Sequence, residues 1–567
     1  MTARGFGRFG VALAPMVATL LASCATLPPT RPATAADATA PVDPFWRNAT
    51  VYFLMTDRFM NGDRGNDAAI PAVGKPDLLR GFEGGDIAGV TQRIEAGYFD
   101  ALGVDAIWTT PLIENVHGAV IEGEWGYSYP FHGYWPRDWS KVDPRLGSEA
   151  DLARMIDAAH RHGIRIIADV IINHAGAVTD RGDPRWPEDW VRRGPACDYK
   201  NFAGNVPCEL SFTLQDIRTE SETPVALPDF MVERWRAEGR YEREMAELDR
   251  FFARTGYPRA PKYYIVKWLT DWVRDYGVDG FRVDTAKHTD PEIWGVLKRE
   301  AEIALAEWRA RNPDRIAGDK PFYMVGEVFN FGLDGFGHAR ERRYDYGDRQ
   351  VDFYQHGFDA LINMGFPTHA ALPMPEQHRI FDADLNGGNF AGRGVLNYLA
   401  SHDDMNPFDP TRATARDDAT RLMLSPGGAQ IYYGDEIGRS LVVPGTRGDA
   451  TLRSNFDWSA VERNAALLDH WRRLGRFRKA HPALGAGKHR ELSRAPYTFA
   501  RVLEGSRGSD RIVVAAGVTP GANSIVVDDV FAPGTRVRDA YSGEESTVRG
   551  DRVALTKSAD VILLEML

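Results

Sequence analysis

The stretch GFRVDTAKH, residues 280–288, places a carboxylate where chemistry could be done. Alternating apolar residues from Val278 predict a strand, and Asp284 stands just past its end. Arg282, two residues earlier, shares a strand face with Asp284 and can keep it ionised through a charge-assisted hydrogen bond. Such a carboxylate can attack an electrophilic carbon or take a proton. Taken alone, the pair could equally be a structural ion pair on a buried strand. Three other stretches repeat the arrangement: DVIINH at 169–174, Gly326-Glu327 and Ser401-His402-Asp403. Acids and imidazoles at four strand ends would bring a nucleophile, a proton donor and hydrogen-bonding groups to one rim, a convergence that a structural network does not require.

The elements that must position them follow from Asn48 onward, where short β-rich runs alternate with longer helical patterns. Strands are predicted at 51–55, 104–108, 164–170, 278–283, 322–325, 358–363, 395–400 and 429–433, and helices at 149–162, 264–276, 291–309 and 461–479. Eight strands with intervening helices predict a closed (β/α)8 TIM barrel, whose C-terminal face carries catalytic residues. One interval breaks the rhythm: about a hundred residues separate the third and fourth strands, far more than a βα loop needs. Its irregular, Trp-rich part is expected to form a subdomain inserted after strand three, over that face. Short strands at 497–503, 511–517, 524–527, 537–540, 552–555 and 560–565 then predict a C-terminal antiparallel β-sandwich. The expected organisation is barrel at 44–174, insertion at 175–260, barrel again at 261–485 and sandwich at 486–567.

The net charge of −11 gives no electrostatic footprint for nucleic acid. Arg4 and Arg8 precede an apolar run, and no acid occurs before Asp37, the pattern of a secretory signal over 1–23. The stretch Leu21-Ala22-Ser23-Cys24 resembles a bacterial lipobox, with Cys24 as the lipid-modified residue; the alternative is an ordinary signal peptide cleaved within 33–40. Residues 24–43, rich in Pro, Ala and Thr, read as a flexible tether, so membrane contact is expected only through the lipid. Export to the periplasm or cell surface leaves Cys197 and Cys208 as an even pair in an oxidising compartment, and a disulfide is expected.

Taken in order, DVIINH, GFRVDTAKH, the Glu of MVGEVF and the HD of YLASHDD resemble the four main motifs of the α-amylase family, glycoside hydrolase family thirteen, and LPDF at 227–230 resembles the fifth. Ser401 departs from the Asn that many members carry before the HD pair. The resemblance implies a retaining glycosidase, in which one carboxylate attacks the anomeric carbon and a second, about 5 Å away, protonates the leaving oxygen. It assigns the nucleophile to Asp284, the acid/base to Glu327 and the third carboxylate to Asp403. His174 and His402 become transition-state stabilisers, Arg282 the residue that orients the nucleophile, and Tyr134, with His132 close by, the platform beneath the sugar ring.

Lys287-His288 resembles members that cleave internal α-1,4 bonds of maltodextrins, so an exported α-amylase with an α-glucan substrate is the expected function. The alternatives are a cyclodextrin- or pullulan-hydrolysing or transglycosylating relative, and a non-catalytic glycan-binding surface lipoprotein; the loss of a carboxylate would favour the last, and none is lost. Oligomeric state is not legible. The resemblance further implies Ca2+ bound by Asn173, Asp229 and the carbonyl of His288, although Asn173 alone could be a turn residue. A second calcium loop is expected in TDRFMNGDRGND, where Asn61, Asp63, Asn66 and Asp67 crowd together and Gly84 to Asp86 close the site; a solvated turn is the alternative there.

Overall fold

The computed structural model describes residues 41–72, 74–505 and 508–567. The leader, Cys24 and most of the expected tether lie outside the described residues. No helix among the described residues is long and apolar enough to cross a membrane.

Eight strands, β1 (Thr50–Leu54), β2 (Ala106–Thr109), β3 (Arg165–Val170), β4 (Gly280–Val283), β5 (Tyr323–Gly326), β6 (Ala360–Ile362), β7 (Gly394–Asn397) and β8 (Gly428–Tyr432), form a closed parallel barrel. Each pairs with its neighbours in sequence, and β8 returns to β1. Helices cover the outside while side chains fill the inside, so most of these strands are buried along their whole length. This is why they read as apolar runs. The helices Glu149–Arg161, Pro261–Tyr276 and Glu292–Arg311 lie close to their expected spans. Gly277 ends the second in the left-handed region at φ +86°, and a Cβ there would come within 2.4 Å of Trp308. Glycine is therefore required where the chain turns into β4. The expected helix at 461–479 is split at Asn464 into Ala460–Arg463 and Ala465–Ala480.

Between β3 and the helix leading into β4, the chain builds a three-stranded sheet from His174–Ala175, Gln215–Ile217 and Val191–Arg192, followed by the helices Asp229–Ala237 and Tyr241–Thr255. Cys197 and Cys208 are joined by a disulfide. A smaller excursion after β5, three short strands between Ala339 and Val351, was not legible from the sequence.

The C-terminal domain has eight strands rather than the six expected: β9 (Lys488–Arg494), β10 (Tyr497–Gly505), β11 (Gly508–Ala516), β12 (Gly521–Val526), β13 (Arg536–Asp539), β14 (Glu545–Thr547), β15 (Arg552–Ser558) and β16 (Val561–Met566). Six form one sheet in the order β9-β10-β11-β16-β13-β14, and β12 pairs with β15 in the other. Both sheets contribute to a separate core that includes Val513, Ile525, Val553, Ile562 and Leu564. The missed strands are β9, which buries none of its residues fully, and β14, which has only three residues.

Candidate active site

Val283 on β4 stands opposite Gly326 on β5, so the residues that follow each strand leave the barrel side by side. The ladder continues past both ends: Asp284 N donates to Val170 O at 2.9 Å, and Glu327 N donates to Val283 O at 2.9 Å. Asp284 and Glu327 thus emerge as neighbours on the C-terminal rim. Thr285 is held in the left-handed region at φ +47°, unusual for a β-branched residue, while its N–H donates to Glu327 Oε2 at 2.9 Å. Strain of this kind persists only where the surroundings over-determine it.

One guanidinium spans both acids. Arg282, whose side chain is 1% exposed, donates from Nη1 to Asp284 Oδ1 at 2.8 Å, and its Nη2 lies 3.0 Å from Glu327 Oε2. Arg282 Nη1 also donates to Asp169 on β3, at 2.9 and 3.2 Å. Asp169 in turn accepts from Trp108 Nε1 at 3.0 Å and from the Tyr134 hydroxyl at 2.7 Å. Asp169 and Trp108 were not singled out as site residues from the sequence, although Asp169 opens DVIINH. Their signal was positional, since Asp169 pairs in register with Arg282.

Three buried carboxyls share one cation, and this sets their proton affinities. Burial raises Glu327; Arg282 opposes the rise, and the negative charges of Asp284 and Asp403 reinforce it. Burial also pushes Asp284 up, against the pull of Arg282. Of the pair Asp284 and Glu327, Asp284 is the one that accepts a well-aligned hydrogen bond from Arg282, so the anion belongs on Asp284 and the retained proton on Glu327.

The opposite wall carries the histidines. Tyr134 stacks on His402 with ring centroids 5.2 Å apart and planes 18° off parallel, and its N–H donates to His132 Nδ1 at 3.0 Å. Asp403 approaches His402 Nε2 at 2.9 Å and Arg453 Nη2 at 2.5 Å, with 43% of its side chain open to the cleft. Burial works against the Asp403 anion, but His402 and Arg453 outweigh it and hold the carboxyl well below its ordinary range. Arg453, unremarked in the sequence, also meets Asp449 at 2.6 Å, and Arg80 meets that carboxylate at 2.8 Å from the other side. Burial lowers His174 to about 4, so it is neutral; its ring nitrogens approach the Tyr134 carbonyl at 3.0 Å and Asn173 Oδ1 at 3.2 Å. A cavity of about 300 Å3 opens among Trp108, Arg282, Glu327, Tyr398, His402 and Asp403.

Lys287 and His288 face the excursions on the near side. Lys287 Nζ donates to the Tyr344 hydroxyl at 3.1 Å, and burial lowers its pKa to about 8. His288 Nδ1 lies 2.8 Å from the Asn205 carbonyl, inside the loop that the Cys197–Cys208 disulfide closes. Tyr199 of that loop packs edge-on against His288 at 5.9 Å.

The two expected cation sites differ in how well their residues fit. Asn173 Nδ2 donates to the His288 carbonyl at 2.8 Å and to Asp216 Oδ1 at 3.3 Å. Asp229, expected as their partner, is instead an exposed residue opening the helix Asp229–Ala237, which corrects the ligand set. Asp216 is the carboxyl that meets Asn173, because its strand pairs antiparallel with His174–Ala175 and sets it opposite His174. Burial raises Asp216 to about 8 despite Arg192 Nε at 2.5 Å, so positive charge is already present there. In the N-terminal loop, Asn61 Oδ1 and Asn66 Oδ1 are buried without partners among the described residues. Asn61 Nδ2 donates to Asp67 Oδ1 at 2.8 Å, and a Cβ on Gly84 would intrude within 2.6 Å of the Asn61 amide. Two orphaned oxygens beside a carboxylate suit a hard cation. Asp63 and Asp86 have duties of their own: Asp63 Oδ1 accepts from Gly65 N at 2.8 Å, and Asp86 caps the helix Ile87–Glu95 through Gly89 N. Among the described residues no three His, Cys, Asp or Glu side chains gather as a metal cluster, so either site depends on amide and carbonyl oxygens.

The profile of the family described as "Alpha amylase, catalytic domain" matches residues 53–321. The periplasmic α-amylase of Escherichia coli K12 is 36% identical over 540 residues, spanning 84% of this chain and 73% of that protein. A cyclomaltodextrinase of a Bacillus species is 26% identical over 473 residues, with 80% and 70% covered. Among solved structures, the α-amylase of Geobacillus thermoleovorans in complex with acarbose superposes with a TM-score of 0.62 at 19% identity, covering 92% of this chain and 99% of that one.

Proposed function

The chain belongs to the α-amylase family and is a glycoside hydrolase of α-1,4-glucans; within that family we propose that it is an α-amylase acting on maltodextrins with retention of configuration. The observation that carries this reading is the single Arg282 guanidinium that serves Asp284 and Glu327 at adjacent strand ends. Asp284 attacks the anomeric carbon while Glu327 gives its proton to the departing glycosidic oxygen. With that proton gone, Glu327 takes one from water, which then releases the sugar from Asp284. Asp403, held ionised by Arg453 and His402, accepts hydrogen bonds from the hydroxyls of the distorted sugar and keeps Glu327 protonated between turnovers. His132 and His402 donate to the hydroxyls of the same ring, which lies on Tyr134, a platform that His174 braces through the Tyr134 carbonyl, and Lys287 and His288 grip the glucose on the leaving-group side. Hydrolysis of maltoheptaose should release products with the α anomer first, and cyclodextrin and pullulan should be poorer substrates. Initial release of β product, followed by polarimetry or NMR, would exclude retention.

Export of the mature enzyme is supported by the secretory pattern and by the likeness to a protein named as periplasmic. Lipidation at Cys24 would tether the barrel to the membrane through the Pro/Ala/Thr segment. Cys24→Ser should move the enzyme from the membrane fraction to the soluble one, and an unchanged distribution on fractionation would rule the anchor out.

Calcium is the hard cation we assign to the N-terminal loop, held by Asn61, Asn66, Asp67 and the Gly84 backbone, with Asn173, Asp216 and the His288 carbonyl as a second set. A bound ion would add stability by mass action and fix the loops over the barrel face. Thorough chelation should lower Tm by several degrees, calcium should restore it, and Asp67→Ala should blunt the response. A Tm indifferent to chelation, with no calcium by elemental analysis, would remove both sites.

A further inference from the structure

The seam between the barrel helix Met374–Asp382 and strands β9 and β10 holds buried polar groups that no described residue satisfies. Arg501 on β10 is wholly buried; it donates from Nη1 to the Leu484 carbonyl, and its Nε and Nη2 have no partner among the described residues. Directly across the strand pair, in register, stands His489, whose Nδ1 is also unpartnered. The Tyr497 hydroxyl lies 3.2 Å from His489 Nε2 and 3.0 Å from His378 Nδ1, leaving His378 Nε2 free. A hydroxyl with one proton donates to one of these rings and accepts from the other. Since both rings are held neutral, by burial first and then by the charge of Arg501, one of the two free ring nitrogens carries a hydrogen and faces no acceptor. Gln377, the neighbour of His378 in sequence, is wholly buried with neither amide atom paired among the described residues.

The charge count points the same way. A second buried guanidinium, Arg478, is satisfied by backbone carbonyls alone: Asn48 O at 2.9 Å, Met423 O at 2.8 Å, Ser425 O at 3.1 Å and Gly427 O. Burial and the charge of Arg501 together depress it to about 9. The carboxylate that acts most on Arg501 is Asp382, but its Oδ1 is occupied by Asn386 Nδ2 at 2.7 Å and His489 N at 2.9 Å, and it makes no ion pair with Arg501. A buried cation with unmatched N–H groups is among the least favourable arrangements in a folded core.

We propose that this seam binds a small monovalent anion of the halide class, hydrogen-bonded by Arg501 Nε–H and Nη2–H, with the His489 ring across the strand pair completing the donor set. A single negative charge balances the guanidinium. Phe499, buried beneath Arg501 at 4.8 Å, is an apolar floor that supplies no partners for the hydration a multivalent oxyanion would keep. The ion would tie the C-terminal domain to the barrel.

The full-length enzyme should melt roughly 2–4 °C higher in sodium chloride or bromide than in sodium gluconate at equal ionic strength, the shift growing with the logarithm of halide concentration. Arg501→Gln should abolish the difference, and His489→Leu should weaken it, with kcat on maltoheptaose unaltered in whichever variant folds. Crystals of the unmodified enzyme soaked in bromide should give an anomalous peak within hydrogen-bonding reach of Arg501 Nε or Nη2. An ordered water there with no anomalous signal, or identical melting in halide and gluconate, would overturn the proposal.

Discussion

Replacing Asp284 by Asn is expected to lower kcat on maltooligosaccharides by at least roughly 10^3-fold while the protein still folds, because the covalent route is lost and the site is otherwise kept. Arg282 would keep its bonds to Asp169, so no buried cation is abandoned. The Asn side chain also fills the same volume. Tm should therefore change little, whereas a merely structural ion pair would give the reverse, a lowered Tm with activity retained. A second measurement separates nucleophile from base: Asp284→Ala supplied with azide and an activated glucosyl fluoride should form the β-glucosyl azide, since the small anion occupies the face that the carboxylate vacates. Near wild-type turnover in the Asn variant, or no azide adduct of inverted configuration, would remove Asp284 from the chemistry.

The barrel was legible because its strands are covered on both faces and so appear as uninterrupted apolar runs between amphipathic helices. Strand ends on one face of such a barrel share a rim, which is why Asp284, Glu327 and Asp403 read as one cluster in the sequence. What resisted reading was whatever depends on chain excursions. Asp216 and Asp229 both lie in polar stretches of the insertion, and only the pairing of Gln215–Ile217 with His174–Ala175 decides that Asp216 meets Asn173. Arg453 reaches Asp403 from the loop after β8, fifty residues away in sequence, and no local pattern announces that contact. Tyr344 likewise reaches Lys287 from a three-stranded excursion too short to register as strands. The strand β9 was missed because one of its faces meets a barrel helix through His489, a polar residue, and hydropathy is blind to polar burial.

Glu327→Gln should reduce kcat on maltooligosaccharides by about 10^2–10^4-fold, the usual contribution of a positioned general acid, and the loss should shrink with the need for that acid. An aryl α-maltooside with a good leaving group requires little protonation, so its first step should be almost spared and the glycosyl-enzyme should accumulate as a burst. Azide needs no base to attack that intermediate, and the product should be the α-glucosyl azide, opposite in configuration to the adduct expected from Asp284→Ala. The pH profile of the unmodified enzyme bears on the same proton. Burial, Asp284 and Asp403 raise Glu327 above the ordinary carboxyl range, so the acid form persists at higher pH and activity should fall on the alkaline side as that proton is lost. In Asp403→Asn one of the repelling charges is gone, Glu327 releases its proton at lower pH, and the alkaline limb of kcat/KM should move toward acid. The Gln variant has no proton to lose at this position, so its alkaline limb should disappear with the aryl substrate. An alkaline limb that stays unmoved in both variants, together with equal losses on natural and activated substrates, would assign the proton to some other group.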